Sequence, residues 1–321
     1  MAINPTAAQL AAARAAGARQ AAAVLAARRA ALSEREAAIQ RHFAAGAPRA
    51  AFTVPAPPDA AVRTALGTAA TAGVLLAEGD SWFDYPWTDV LQELEDHHGY
   101  DVYSVARKGD RVEEMAYGAG QLVALTRQLE KLLRAGNVPR ALLLSGGGND
   151  VAGQEFHVLL NHAASQAPGL NEAVVAGVID NRLRLAYTHI LSAVTALCQQ
   201  QLGRPLPILL HGYDYPVPDG RGFLGGWWAL PGPWLAPGFR DKGYARLAER
   251  KRHARALMDR FNTMLEEVAQ AAGFGHVRYL NLRGTLSAAA DYKRDWDNEL
   301  HPTKAGFRRI AERFALVLNE L

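Results

Sequence analysis

Gly73-Val74-Leu75-Leu76-Ala77-Glu78-Gly79-Asp80-Ser81-Trp82-Phe83 begins as a short apolar run and ends in turn-forming residues. A run of this length bounded by glycine reads as a strand buried on both faces, the habit of a central strand in a parallel sheet. Gly79-Asp80-Ser81 then sets a hydroxyl where strand gives way to loop. Ligands of open α/β sheets gather beyond the carboxyl ends of the strands, so Ser81 stands where a nucleophile would work. All three residue types also favour turns for backbone reasons alone, and a plain turn is the competing reading.

Three later stretches repeat the pattern. Tyr100-Asp101-Val102-Tyr103-Ser104-Val105 alternates and runs on through Ala106-Arg107-Lys108 to Gly109-Asp110. A glycine after a strand lets the backbone approach a ligand closely, and its N–H can donate to developing negative charge. Arg140-Ala141-Leu142-Leu143-Leu144 leads into Ser145-Gly146-Gly147-Gly148-Asn149-Asp150, where the glycines clear space around the Asn149 amide. That run lacks the Gly-Lys-Ser/Thr of a phosphate loop and the spacing of a dinucleotide fingerprint. Trp296-Asp297-Asn298-Glu299-Leu300-His301-Pro302-Thr303 precedes a helical pattern with Phe307, Ile310, Phe314, Val317 and Leu318 on one face. Pro302 or Thr303 starts that helix, which leaves His301 in the loop before it.

Strands are expected at 73–77, 101–105, 141–144, 206–210 and 277–280. Helices are expected from near 88, over 111–135, through 151–202, over 244–271 and at the end of the chain. This alternation argues for a parallel sheet covered on both faces, an α/β fold of three α/β/α layers. The expected winding is flavodoxin-like, with five strands in the order 2-1-3-4-5. Residues 1–47 read as a helical extension, 48–69 as a linker rich in alanine and proline, and 70–321 as the main domain.

Taken together, Gly79-Asp80-Ser81, the post-strand Gly109, Gly148-Asn149-Asp150 and His301-Pro302 resemble the SGNH/GDSL hydrolase family, in order, over residues 73 to 319. The resemblance implies an esterase or lipase with Ser81 as nucleophile and His301 as general base. It also implies an oxyanion hole built from the Ser81 and Gly109 N–H groups and the Asn149 side chain. Serine is a poor nucleophile at neutral pH, so an imidazole must take its proton during attack and return it to the leaving alcohol. A base with an unperturbed pKa of ~6.5 would give activity that rises through about pH 6 to 7.

The chain departs from the family at one point, because the family usually has aspartate three residues before the histidine and this chain has Asn298. Three groups are candidates to orient the ring: Asn298 by position, then Asp297, then Asp295. A main-chain carbonyl is a further option. Two classes of function therefore stand: a hydrolase of carboxylic esters, including carbohydrate O-deacetylases of the same fold, and a non-catalytic binding protein that keeps the fold.

An insertion over about 211–242 follows the fourth strand and gathers Tyr213, Tyr215, Phe223, Trp227, Trp228, Trp234 and Phe239 among glycines and prolines. With Trp82 beside the nucleophile, Tyr213, Tyr215, Trp227, Trp228 and Trp234 read as a substrate rim. Phe83, Tyr85 and Trp87 are candidates for the same pocket, and a buried plug is the rival reading of the insertion. Such faces suit an acyl chain or a sugar ring, so the substrate is a small-molecule, lipid or glycan ester.

The first fifty residues carry seven arginines against Glu34 and Glu36, a balance of +5 in a chain of net +3. The basic character thus belongs largely to this arm, and no nucleic-acid partner is expected. Asn4-Pro5 reads as its cap, Ser33 to Glu36 as the start of a second helix ending near Gly46, and Leu25, Leu32, Ile39 and Phe43 as a packing stripe. The stripe fits packing on the body or self-association, and the arginines fit contact with a membrane surface. The longest apolar run, Ala21 to Ala27, is framed by arginines and is neither a leader nor a span. The expected location is cytoplasmic, with export by a route lacking a cleaved leader left open. Cys198 is the only cysteine and reads as a core residue. His157 and His162 are misspaced for a helical metal pair, and the acidic loop Asp291, Asp295, Asp297, Glu299 reads as solvated. No metal and no cofactor are expected.

Overall fold

The computed structural model describes residues 4–44, 71–118, 120–225 and 230–321, and is built on a five-stranded parallel sheet. Its strands are β1 (Gly73–Glu78), β2 (Tyr100–Ser104), β3 (Ala141–Leu144), β6 (Ile208–His211) and β7 (Val277–Leu280). They lie in the order β2-β1-β3-β6-β7, the expected winding. The short strands β4 (Leu160–Asn161) and β5 (Gly169–Leu170) form a separate antiparallel ribbon. Every residue of β3 and β6 is buried, as a strand covered by helices on both faces requires. The edge strands β2 and β7 mix buried and exposed positions.

The helices are α1 (Ala7–Ala44), α2 (Val90–His98), α3 (Val112–Tyr117), α4 (Gln121–Arg134) and α5 (Gln154–Val158). After β5 come α6 (Glu172–Val175), a π-helical stretch (Ala176–Leu183), α7 (Arg184–Leu202), α8 (Ala236–Asp241), α9 (Leu247–Gln270) and α10 (Lys304–Asn319). Helices α2 and α10 pack together, while α3 and α9 pack on α7. The helix expected over 111–135 is two pieces. Gly118 ends the first, its N–H donating back to Glu114 O, and glycine costs a helix interior about 1 kcal/mol. The stretch expected to be helical from 151 is broken too, because Pro168 and Gly169 stop a helix there and β4 pairs with β5 instead.

The arm is one helix, not two. Ser33 lies inside α1, flanked by alanine, arginine and glutamate that all sustain a helix. The cap is Thr6 rather than Asn4-Pro5: Gln9 N–H donates to Thr6 Oγ1 and Thr6 N–H donates to Gln9 Oε1, a reciprocal capping box. Ala21 and Leu25 are buried, and α1 lies along α7. Gly17 allows this close approach, since a methyl there would collide with the His189 carbonyl. Ser192 Oγ donates to Arg14 O at 2.8 Å, His189 Nε2 pairs with Gln20 Oε1 at 2.8 Å, and Arg28 binds Glu130. The side chains of Ile39 and Phe43 and the expected linker lie outside the described residues. No helix among the described residues is long and apolar enough to cross a membrane. Cys198 is buried in the core, and burial pushes its thiol up to about 11.

Candidate active site

All four blocks converge at the carboxyl ends of the strands. Ser81 follows β1 in a turn closed by Phe83 N–H on Asp80 O at 3.0 Å and Trp82 N–H on Asp80 Oδ1 at 3.0 Å. The Asp80 carboxylate is buried and also accepts from Ser145 Oγ at 2.8 Å and from the Tyr213 hydroxyl. One side chain thereby ties the Ser81 turn to the loops after β3 and β6. Gly79 passes so close to the β3 loop that a Cβ on it would lie 2.7 Å from Ser145 Cβ. Arg107 N–H donates to Gly79 O at 2.9 Å, which fixes the Gly109 loop alongside. Gly109 itself has φ +90°, a backbone that side chains rarely adopt, with open space where a Cβ would stand.

Asn149 and Ser81 line one cleft, and Gly109 and Asn149 line a neighbouring hollow. One Asn149 Nδ2 hydrogen is held by Asp110 O at 2.9 Å, which aims the amide and leaves its second hydrogen available.

His301 precedes α10, whose cap is Thr303, with Gly306 N–H donating to Thr303 Oγ1 at 3.1 Å. Its Nε2 lies 2.8 Å from Ser81 Oγ. Asn298 Oδ1 lies 3.0 Å from His301 Nδ1 and accepts the His301 N–H at 2.9 Å and the Leu300 N–H at 3.0 Å. Two backbone donors fix which end of the amide faces the ring, so Nδ1 must carry the proton and Nε2 is the acceptor for the serine. Trp82 Nε1–H donates to Leu300 O at 3.1 Å and holds this loop from the other side. Burial holds the imidazole down to about 3, well below the ordinary histidine range. That direction runs against the unperturbed value from which a limb near pH 6 to 7 is expected.

The other two candidates for orienting the ring are engaged elsewhere. Asp295 is buried and accepts Arg309 Nη1–H at 2.6 Å and Ser287 N–H at 2.7 Å. Asp297 is exposed, and its Oδ2 accepts from Asn298 Nδ2 at 3.2 Å and from Tyr85 OH at 3.3 Å. Nor is the acidic loop solvated throughout. Glu299 is fully buried and accepts the N–H groups of Trp234, Leu235, Ala236 and Gly220 at 2.7, 2.7, 3.1 and 2.9 Å. It binds the insertion to the loop that carries His301.

The aromatic residues expected at the rim take several different places. Trp82 and Tyr213 are buried and form walls of the cleft, packed edge-on at 4.9 Å, because Tyr213 OH seeks Asp80 and Trp82 N–H seeks Leu300 O. Tyr215 is turned to Asp259, to which its hydroxyl donates at 2.7 Å, under the Arg255 guanidinium. Trp234 lies edge-on to His301 at 5.4 Å and lines the hollow beside Asn149. Trp227 and Trp228 lie outside the described residues. Tyr85 stacks on the imidazole, centroids 4.2 Å apart and planes 17° apart, and meets Phe223, which stacks on Trp87. Sequence reasoning missed Asp80 and Glu299 as anchors; the first was visible inside Gly79-Asp80-Ser81, whereas nothing local marked Glu299 as buried.

The sequence matches the GDSL-like lipase/acylhydrolase family over residues 65–309, and the chain belongs to that family. No curated protein matches it. Among solved structures it is similar to an α/β hydrolase enzyme from the metagenome of Lake Arreo, Spain, at 14% identity and TM-score 0.40, covering 78% of this chain and 97% of that one. It is also similar to a variant of an acetyl-xylooligosaccharide esterase from Geobacillus, at 14% identity and TM-score 0.39, covering 77% and 94%. A carbohydrate esterase family 3 structure from Talaromyces cellulolyticus is similar at 11% identity and TM-score 0.39, covering 78% and 99%. Likenesses this distant do not bear on the substrate.

Proposed function

We propose that the protein is a serine esterase that hydrolyses carboxylic esters through an acyl-serine intermediate. The observation that carries this reading is the 2.8 Å approach of Ser81 Oγ to a ring nitrogen whose lone pair is freed by the Asn298 contact on the opposite side of the ring. Ser81 Oγ attacks the ester carbonyl carbon as its proton passes to His301 Nε2. The carbonyl oxygen becomes an anion that the Ser81 N–H, the Gly109 N–H and the free Asn149 Nδ2 hydrogen would stabilise. As the tetrahedral centre collapses, the imidazolium gives its proton to the departing alcohol oxygen. Water then attacks the acyl-serine, His301 takes its proton and returns it to Ser81, and the carboxylic acid leaves.

The cleft lined by Ser81 and His301 supports a short acyl group. Its enclosed part is small, a cavity of about 40 Å³ between the apolar side chains of Val151, Phe156, Leu235, Leu257 and Met258. Acetyl or propionyl fits that space, so esters of acetic acid, including O-acetylated sugars, are the expected substrates. Exposure of folded protein to a fluorophosphonate, followed by peptide mass spectrometry, tests the chemistry. An adduct on Ser81 is expected; its absence would leave a binding protein in an esterase fold. Rates on p-nitrophenyl acetate, p-nitrophenyl octanoate and an acetylated xylo-oligosaccharide then test the acyl group and the alcohol, and a preference for octanoate would overturn the short-acyl reading.

A further inference from the structure

Asn298 occupies the place of the family's acid, and its surroundings show where a carboxylate stands instead. The amide is bound at every polar position. Oδ1 serves His301, and Nδ2 donates to Tyr85 OH at 2.9 Å and to Asp297 Oδ2 at 3.2 Å. Tyr85 OH donates to the same Asp297 oxygen at 3.3 Å while its ring covers the imidazole. The backbone carrying Asp297 is fixed, because its N–H donates to His301 O at 3.0 Å and Arg221 Nη1 donates to the carbonyls of Asp297 and Trp296 at 2.7 and 2.9 Å.

We propose that Asp297 and Tyr85 are positioning residues of the general base, and that Asp297 exerts a carboxylate's influence on His301 at one remove, through the Asn298 amide. The inference rests on the serine-esterase reading above. A carboxylate that accepts from Nδ2–H draws the amide toward its charge-separated form, so Oδ1 becomes a stronger acceptor for Nδ1–H. That bond gains most when Nε2 has taken the serine proton and the ring is cationic, so the benefit falls on the transition state. Tyr85 keeps Asp297 and Asn298 in register and shields the ring face from water. Asp297 is exposed, and solvent screening keeps its effect to roughly two- to fivefold in rate.

The test is Asp297→Asn and Tyr85→Phe, each in the wild-type protein and in an Asn298→Asp background, with kcat and KM on p-nitrophenyl acetate and the proton resonance of His301 Nδ1–H. In the wild-type background D297N lowers kcat by about two- to fivefold with KM unchanged, and moves the Nδ1–H resonance upfield as that hydrogen bond weakens. In the N298D background both losses are absent or reversed, since a carboxylate then faces Nδ1–H directly and D297N also removes a like charge standing 3.2 Å away. Equal losses in the two backgrounds would reduce Asp297 to a structural part of the loop and overturn the proposal, as would an unchanged kcat or an unmoved resonance. If folded wild-type protein cleaves no ester and takes no fluorophosphonate, the esterase reading fails, and the resonance alone still decides whether Asp297 acts on His301.

Discussion

Ser81 Oγ and His301 Nε2 stand 2.8 Å apart across 220 residues of chain, and burial disfavours the charged form of the imidazole held between Ser81 and Asn298. A carboxylate beside Nδ1 would favour the charged ring, whereas an amide oxygen does so more weakly and leaves burial to dominate. The profile of kcat/KM against pH on a neutral ester should therefore lack a histidine limb between about pH 5 and 8. Asn298→Asp should raise the imidazole pKa and bring a limb into the measured range. Asp150, pushed up to about 6 by burial, titrates nearby, so any limb that disappears in D150N belongs to it. A wild-type limb near 6.5 that survives D150N would refute a depressed His301. Because the unfolded chain takes up the proton first, the same depression withdraws stability as pH falls below about 6.5 toward the folded value.

Asn149 is aimed by Asp110 O, with one amide hydrogen bound and one left toward the cleft. Asn149→Ala should lower kcat by about 10²- to 10³-fold, the usual cost of one oxyanion donor, with little change in melting temperature. Turnover at the wild-type level would remove this side chain from the oxyanion hole.

The order of strands, the buried central runs and the convergence of Ser81, Asn149 and His301 were all legible in the sequence. The strands depend on local signals, a short apolar run followed by turn residues, whereas the joining of His301 to Ser81 and Asn149 was legible only through the joint resemblance of the four blocks, since His301 stands before a helix rather than after a strand. What stayed hidden was set by partners far along the chain. Nothing near Glu299 announces that four backbone N–H groups of the insertion surround it, and nothing near Tyr213 announces Asp80 as the partner of its hydroxyl. The arm failed as a two-helix reading for the converse reason: a serine that would cap a helix start is harmless inside a run of strong helix formers.

Glu299 joins the insertion to the base loop, so its removal should be felt in both stability and substrate binding. Glu299→Ala strands four N–H donors, those of Leu235 and Ala236 buried and those of Trp234 and Gly220 half-buried, and should cost about 3 kcal/mol by denaturant unfolding. Glu299→Gln keeps one accepting oxygen and should cost less, while raising KM because Leu235 and Trp234 shift beside the cleft. An E299A protein as stable as wild type would mean that the insertion is held by other contacts.

Gly17 gives a prediction whose sign runs against ordinary helix chemistry. In an exposed helix interior, glycine to alanine stabilises by roughly 0.5–1 kcal/mol, because alanine is the better helix former. At Gly17 the added methyl would strike the His189 carbonyl of α7, and the neighbouring contacts of Ala21 and Leu25 prevent the helices from parting without exposing apolar surface. Gly17→Ala should therefore destabilise by about 1–3 kcal/mol, the range of overpacked cores, and Gly17→Leu by more. Thermal unfolding of both variants beside wild type reads the effect, with kcat of the folded protein unchanged because the Ser81–His301 pair is untouched. A rise in melting temperature for G17A would show that α1 does not lie against α7.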